Sequence, residues 1–224
     1  MALIENAKGR KEGSGYERLF GDNQLGYLLS RIQATVISTG IELEKMIVGL
    51  SNRIEDVDTF LSEQKLSNGT FLISKSAIKK SKLKSNLEPD ILIFKIDAKK
   101  QHCYIIELKD GDAFDTKKSQ SEKDLLLKFQ NHISSKLRFT TSVHICSFNQ
   151  LDKKKIVEGL KHKITEEMAM TGKELCEILG LDYKKLLHSR IHQQKKNLTY
   201  FVDELIKVDA IRILLQEKLK DYEE

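Results

Sequence analysis

Pro89-Asp90-Ile91-Leu92-Ile93-Phe94-Lys95-Ile96, followed after a polar gap by Tyr104-Ile105-Ile106-Glu107-Leu108-Lys109, is the stretch from which the fold can be read. Each run is short, rich in β-branched and aromatic residues, and almost unbroken in apolar character. That is the pattern of strands inside a sheet. Asp97 to Gln101 is short enough for a hairpin, so strands at about 90–96 and 102–109 are expected to be antiparallel neighbours. Side chains alternate along a strand, so Glu107 and Lys109 share one face and Leu108 takes the other. Asp90 opens the neighbouring strand behind Pro89, which keeps Glu88 out of helix. Two carboxylates at one sheet edge repel each other unless a cation lies between them. Mg²⁺ meets that need, because it prefers oxygen ligands and keeps several waters. It would polarise a phosphoryl oxygen and lower the pKa of a water. Lys109 could orient the nucleophile, stabilise the developing charge, or take a proton if its pKa is depressed. Asp90, Glu107 and Lys109 together point to phosphodiester hydrolysis. Ordinary edge polarity is the competing reading, but Ile105, Ile106 and Leu108 place the strand in the interior, where an acid needs a partner.

Working outward, residues 119–137 read as a helix with Leu125, Leu126, Phe129, Ile133 and Leu137 on one face. Ser119 or Ser121 could cap it, and Glu122 in its first turn suits the helix dipole. A strand at about 139–148 follows, so strand, helix and strand form a parallel crossover unit. Upstream, Thr70 to Ile78 is β-like after the turn signal Ser67-Asn68-Gly69. Leu25 to Phe60 reads helical through Leu25, Leu28, Leu29, Ile32 and Val36, then Ile41, Met46, Ile47 and Leu50, with Gly40 marking a break or a tight packing point. The polar, glycine-bearing residues 1–24 read as an arm, or as a loop that orders on a partner.

After about 152 the chain reads helical throughout. Thr171-Gly172-Lys173-Glu174 is a capping box and Gly180 ends that helix. Asp182 can cap the next, which carries Leu186, Leu187 and Ile191. A last helix at about 198–220 has an apolar stripe that packs on its own core or on a second subunit. The expectation is an α/β fold with a mixed central β-sheet flanked by helices. Residues 1–150 would form the catalytic core with its N-terminal arm, and 151–224 a helical region for DNA recognition or dimerisation.

A chain of 224 residues with 40 % hydrophobic content can bury a real core. A net charge of +5 permits a nucleic-acid partner without demanding one, so the local lysine runs say more. Lys117, Lys118, Gln120 and Lys123, near the start of the helix after the acid-bearing strand, suit a phosphate backbone. Base contacts need Arg, Lys, Asn or Gln, for which Arg190, Gln193 and Lys195 are candidates. Cys103, Cys146 and Cys176 show no metal spacing and no pairing pattern, as in a reducing compartment. The N-terminus lacks an apolar signal core and no run could span a membrane, so a cytoplasmic protein is expected. His188 and His192 lack the acid of a zinc-protease motif, and no glycine-rich phosphate loop implies ATP.

Pro89-Asp90, sixteen intervening residues, then Glu107-Leu108-Lys109 resembles the signature of the PD-(D/E)xK nuclease superfamily. The order of helix, acid-bearing strands, helix and strand is similar too, over about residues 40–148. Within the superfamily the size and layout are most like a type II restriction endonuclease. The resemblance implies that Asp90 and Glu107 bind metal, that Lys109 is the catalytic lysine, and that the Leu108 carbonyl supplies a further ligand. It also implies one more acid on the preceding helix, for which Glu44 is the best match, then Glu42, then Glu17. An exposed glutamate paired with a lysine is the plainer reading of each. Asp110 or Asp112 could tune the site or simply form the turn beside Gly111.

The function these readings favour is Mg²⁺-dependent cleavage of double-stranded DNA at a short specific sequence, by a homodimer in which each subunit cuts one strand. A repair or junction-resolving nuclease would share the site and read structure instead. A non-enzymatic DNA-binding protein would rest on the helix-turn-helix rhythm of Thr171–Ile191, and would leave the acids unexplained.

Overall fold

The computed structural model describes residues 2–63, 66–98, 100–111 and 115–223. In chain order the elements are α1 Gly15–Phe20, α2 Asn23–Leu50, α3 Val57–Ser62, β1 Gly69–Ser74, α4 Lys75–Ile78, β2 Ile91–Ile96, β3 Gln101–Lys109, α5 Thr116–Ser134, β4 Thr140–Ser147, α6 Lys153–Gly159, β5 Ala169–Thr171, α7 Gly172–Leu179, α8 Tyr183–Leu205 and α9 Asp209–Glu223. The chain packs as two compact units, Leu43–Tyr183 and Met1–Glu42 with Lys184–Glu224.

The first of these is the sheet unit. Its strands lie in the order β1-β2-β3-β4-β5. β1, β2 and β3 pair antiparallel, and β3, β4 and β5 pair parallel, so the sheet is mixed as expected. The parallel step from β3 to β4 is made by α5, which packs on both strands. Leu92, Phe94, Cys103, Ile105, Val143 and Ile145 line one face of the sheet and form a core with Leu126, Phe129 and Ile133 of α5. Phe139 meets Phe94 edge-on at 4.8 Å. Leu72, Ile91, Ile93 and Ile106, on the other face, are also fully buried. Cover on both faces explains the continuous apolar runs.

Caps set the helix starts. Asp115 accepts from Lys118 N, so α5 begins at Thr116 and not at either serine proposed to cap it. Thr171 and Glu174 form the expected reciprocal capping box, and Gly180 closes α7 in the left-handed conformation. Gly172 has no room for a side chain, because a Cβ there would lie 2.1 Å from the Phe148 carbonyl oxygen.

Several expectations change. The β-like stretch at 70–78 is strand only to Ser74, whose side chain then caps α4. The region after 152 contains the short strand β5, extending the sheet beside β4. Helix α2 runs through Gly40 unbroken, and nothing lies within 4 Å of a Cβ placed there.

The other unit is helical. Its N-terminal segment is packed: Ala2 and Ile4 are buried. Asn197 donates to Ala2 O (2.8 Å) and accepts from Ile4 N (2.9 Å). Arg31 donates to Ile4 O (2.7 Å) and Ala7 O (3.1 Å), with Tyr27 and Tyr200 against its guanidinium. The long last helix expected at 198–220 is two, because α8 continues to Leu205 and α9 starts at Asp209. Among the described residues no helix is long and apolar enough to cross a membrane.

Candidate active site

Strand register builds the site. Ser74 pairs with Ile91 and Ile91 with Ile106. One step further along these ladders places Lys75, Asp90 and Glu107 in a row across three strands. Parity puts Asp90, Glu107 and Lys109 on the α5 side of the sheet, with Leu92 and Ile105.

Three hydrogen bonds fix Asp90. Its Oδ1 accepts from Lys75 Nζ (3.0 Å), its Oδ2 from Leu108 N (2.9 Å), and its carbonyl from Lys75 N (2.9 Å). Lys109 Nζ donates to Glu107 Oε1 and to Glu122 Oε1, both at 2.7 Å. Asp90, Glu107, Lys109 and Glu122 expose only 14–16 % of their side chains, and Lys75 exposes 37 %. Pairs this sheltered from water attract far more strongly than surface pairs. An open cleft of about 270 Å³ reaches Lys75, Glu107 and Glu122 past Pro89 and Leu126.

Charge is unevenly matched here. Burial, and then the charge of Asp90, push Glu107 up to about 7 against the pull of Lys109. Burial and Asp90 also raise Glu44, with Lys75 opposing. Burial alone would lower the two lysines, but the acids around them outweigh it and both are raised. Four carboxylates (Glu44, Asp90, Glu107, Glu122) therefore meet the ammonium groups of Lys75 and Lys109, with Lys45 acting on Glu44 alone, so acids outnumber lysines. Among the described residues no three Asp, Glu, His or Cys side chains form an ion cage as they lie. Asp90 and Glu107 are each held by a lysine instead. An oxygen-only set of clustered carboxylates fits Mg²⁺.

One comparison identifies the chain. The type II restriction enzyme HhaII of Haemophilus parahaemolyticus is 47 % identical to it over 221 residues, covering 95 % of this chain and 97 % of that protein. The chain belongs to the type II restriction enzymes. No protein-family model matches it. No solved structure matches it either.

In this restriction enzyme, Asp90, Glu107 and Lys109 come together, and Glu44 is half-buried within their electrostatic reach. Leu108 lies between, its N–H committed to Asp90. Lys117 and Lys118 are exposed in the first turn of α5, Lys123 is partly exposed, and Gln120 donates to Asp124 (2.8 Å). Gln193 is partly exposed and Lys195 exposed on α8. Arg190 is 3 % exposed, so it does not present its guanidinium to a groove. Asn149 donates to Asp110 at both the carbonyl (2.6 Å) and the carboxylate (3.1 Å), tying the segment after β4 to the one after β3, whereas Asp112 lies outside the described residues.

The sequence reading missed Glu122 and Lys75 as site residues. Glu122 had a readable signal, since it continues the Leu126, Phe129 and Ile133 stripe of α5 by one turn and so had to face the sheet. Lys75 had none, because only the pairing of β1 with β2 brings it to Asp90.

Proposed function

We propose that this restriction enzyme is a PD-(D/E)xK nuclease that hydrolyses double-stranded DNA at a short specific sequence with Mg²⁺, in the cytoplasm and as a homodimer. The observation that carries this reading is the buried Asp90–Glu107–Lys109 constellation, in which Asp90 raises Glu107. Asp90, Glu107 and the Leu108 carbonyl would hold the ion, with Glu44 completing the acidic set. Mg²⁺, when bound, supplies Lewis acidity toward a phosphoryl oxygen and toward water.

The residues of the chain do the rest. Lys109, held between Glu107 and Glu122, would serve as an orienting and charge-stabilising group. Glu122 would hold Lys109 in place if Glu107 were engaged by the ion. Lys117, Lys118 and Lys123 would neutralise backbone phosphates, while Gln193 and Lys195 would reach base edges. A second copy is supported by the large apolar side chains left exposed on α9, among them Ile213, Leu214 and Leu219.

The test is incubation of the pure protein with unmethylated phage DNA in Mg²⁺ or EDTA. Discrete fragments only with Mg²⁺ are expected. A smear or nicking alone would favour a structure-reading nuclease, and intact DNA under both conditions would overturn the reading.

A further inference from the structure

The sheet register places a second lysine against the acid that opens the motif, and nothing in the proposed chemistry requires it. Lys75 holds Asp90 twice. Its backbone N–H fixes the Asp90 carbonyl at 2.9 Å, and its ammonium pairs with Oδ1 at 3.0 Å. The other oxygen of Asp90 is committed to Leu108 N. Lys75 thus stands on Oδ1, where a cation bound by Asp90 would compete with it. Lys75 also feels Glu107 and Glu44, the other acids of the proposed donor set. At 37 % exposed its side chain is more open to water than those of Asp90, Glu107, Lys109 and Glu122, and it borders the adjoining cleft, into which its long stem can turn without disturbing the backbone bond.

We propose that Lys75 is a positioning residue that acts as a displaceable counter-ion: it neutralises Asp90 in the metal-free enzyme and must leave Oδ1 before a divalent ion can bind there. This rests on the assignment of Asp90 and Glu107 as metal ligands. The consequence is a competition. The lysine keeps the cluster from repelling itself apart in the absence of metal, and it lowers the affinity of the site for the ion by the same interaction. Lys109 is paired instead with Glu107 and Glu122.

The test measures binding of Mn²⁺ alone to the full, DNA-free chain at constant pH and ionic strength, reading free Mn²⁺ by its magnetic-resonance signal. Lys75→Met is expected to bind at least about tenfold more tightly than the parent, since one positive charge beside the site has gone. Lys75→Arg, whose fork grips a carboxylate at two points, is expected to bind more weakly than the parent. It also keeps the inference testable if the methionine variant does not fold by circular dichroism. Asp90→Asn is measured alongside. If it reduces Mn²⁺ binding while Lys75→Met leaves it equal or weaker, the counter-ion role is overturned and the site stands. If Asp90→Asn binds like the parent, the ligand assignment falls and the inference falls with it.

Discussion

The two units of this enzyme solve opposite problems. The sheet unit buries charge: Glu107 and Lys109 sit at 14 % and 15 % exposure beside a core sealed on both faces of β2. The helical unit exposes apolar surface. Of the fifteen large hydrophobic residues left exposed among the described residues, thirteen fall in Met1–Glu42 and Lys184–Glu224, and only Leu50 and Leu151 in the sheet unit. A rigid, closed core can hold like charges close together without spreading, which is what a metal-dependent site needs. Open apolar helices gain nothing by themselves, and theirs is the surface on which the proposed second copy would sit. On this reading chemistry resides in one unit and association in the other.

The largest expected effect tests that division directly. Lys109→Ala and Asp90→Asn are each expected to reduce Mg²⁺-dependent plasmid cleavage by about 10³-fold or more, while gel-shift affinity for the same DNA stays near that of the parent. Leu215→Glu on α9 should do the reverse. It removes apolar contact area from a side chain that is 45 % exposed, so sedimentation equilibrium should show weaker self-association with little change in fold. Loss of chemistry without loss of association in the Leu215 variant would erase the comparison.

Next in size is stability. Phe129 is 1 % exposed at the contact of α5 with the sheet, so Phe129→Ala is expected to cost about 3–5 kcal/mol in urea unfolding. Leu215→Ala should change monomer stability by less than about 0.5 kcal/mol. Comparable losses at the two positions would mean that α9 is packed in the working protein as tightly as α5.

The legibility of the fold in its sequence follows the same line. β2 and β3 were legible because unbroken apolar runs and alternation leave one arrangement. Strand parity alone put Asp90, Glu107 and Lys109 on one face. Helix α2 was legible as a helix, with Leu25, Leu28 and Ile47 of its apolar pattern buried, but its periodicity does not say which face is covered around Val36 and Ile41. Those residues are 68 % and 51 % exposed, while Arg31, Thr35 and Thr39 are buried. Arg31 is satisfied by carbonyls of the N-terminal segment, and Thr35 and Thr39 by carbonyls one turn back, a polar solution that hydrophobic periodicity cannot register. β5, only Ala169–Thr171, is too short to carry a period, and it exists because β4 offers it a ladder. Lys75 belongs to the same class, a local nothing made functional by a long-range pairing.

A smaller effect concerns Glu122. It grips Lys109 from outside the motif, so Glu122→Gln should keep one hydrogen bond and lose the charge. The expected cost is about 10- to 100-fold in the cleavage rate constant at saturating DNA, with KM little changed, as for other residues that orient a catalytic group. Glu122→Asp, which restores the charge on a shorter arm, should recover part of it. A full-rate Gln variant would leave Lys109 positioned by Glu107 alone.

The smallest effect compares one chemical change in both units. Thr171 and Ser14 each cap a helix, accepting from Glu174 N at 3.1 Å and Glu17 N at 3.0 Å, and both are nearly buried. Thr171 also has the reciprocal bond from its own N–H to Glu174 (2.9 Å), and Lys153 holds that glutamate at 2.7 Å. Thr171→Ala is therefore expected to cost about 1–2 kcal/mol and Ser14→Ala about 0.5–1 kcal/mol. Hydrogen exchange reads where each loss is felt. If the units open separately, Ser14→Ala speeds exchange only among amides of the helical unit and leaves those of β2 and β3 protected. If both variants deprotect β3 equally, the enzyme unfolds as one body, and the division of labour between its units is one of surface chemistry and not of stability.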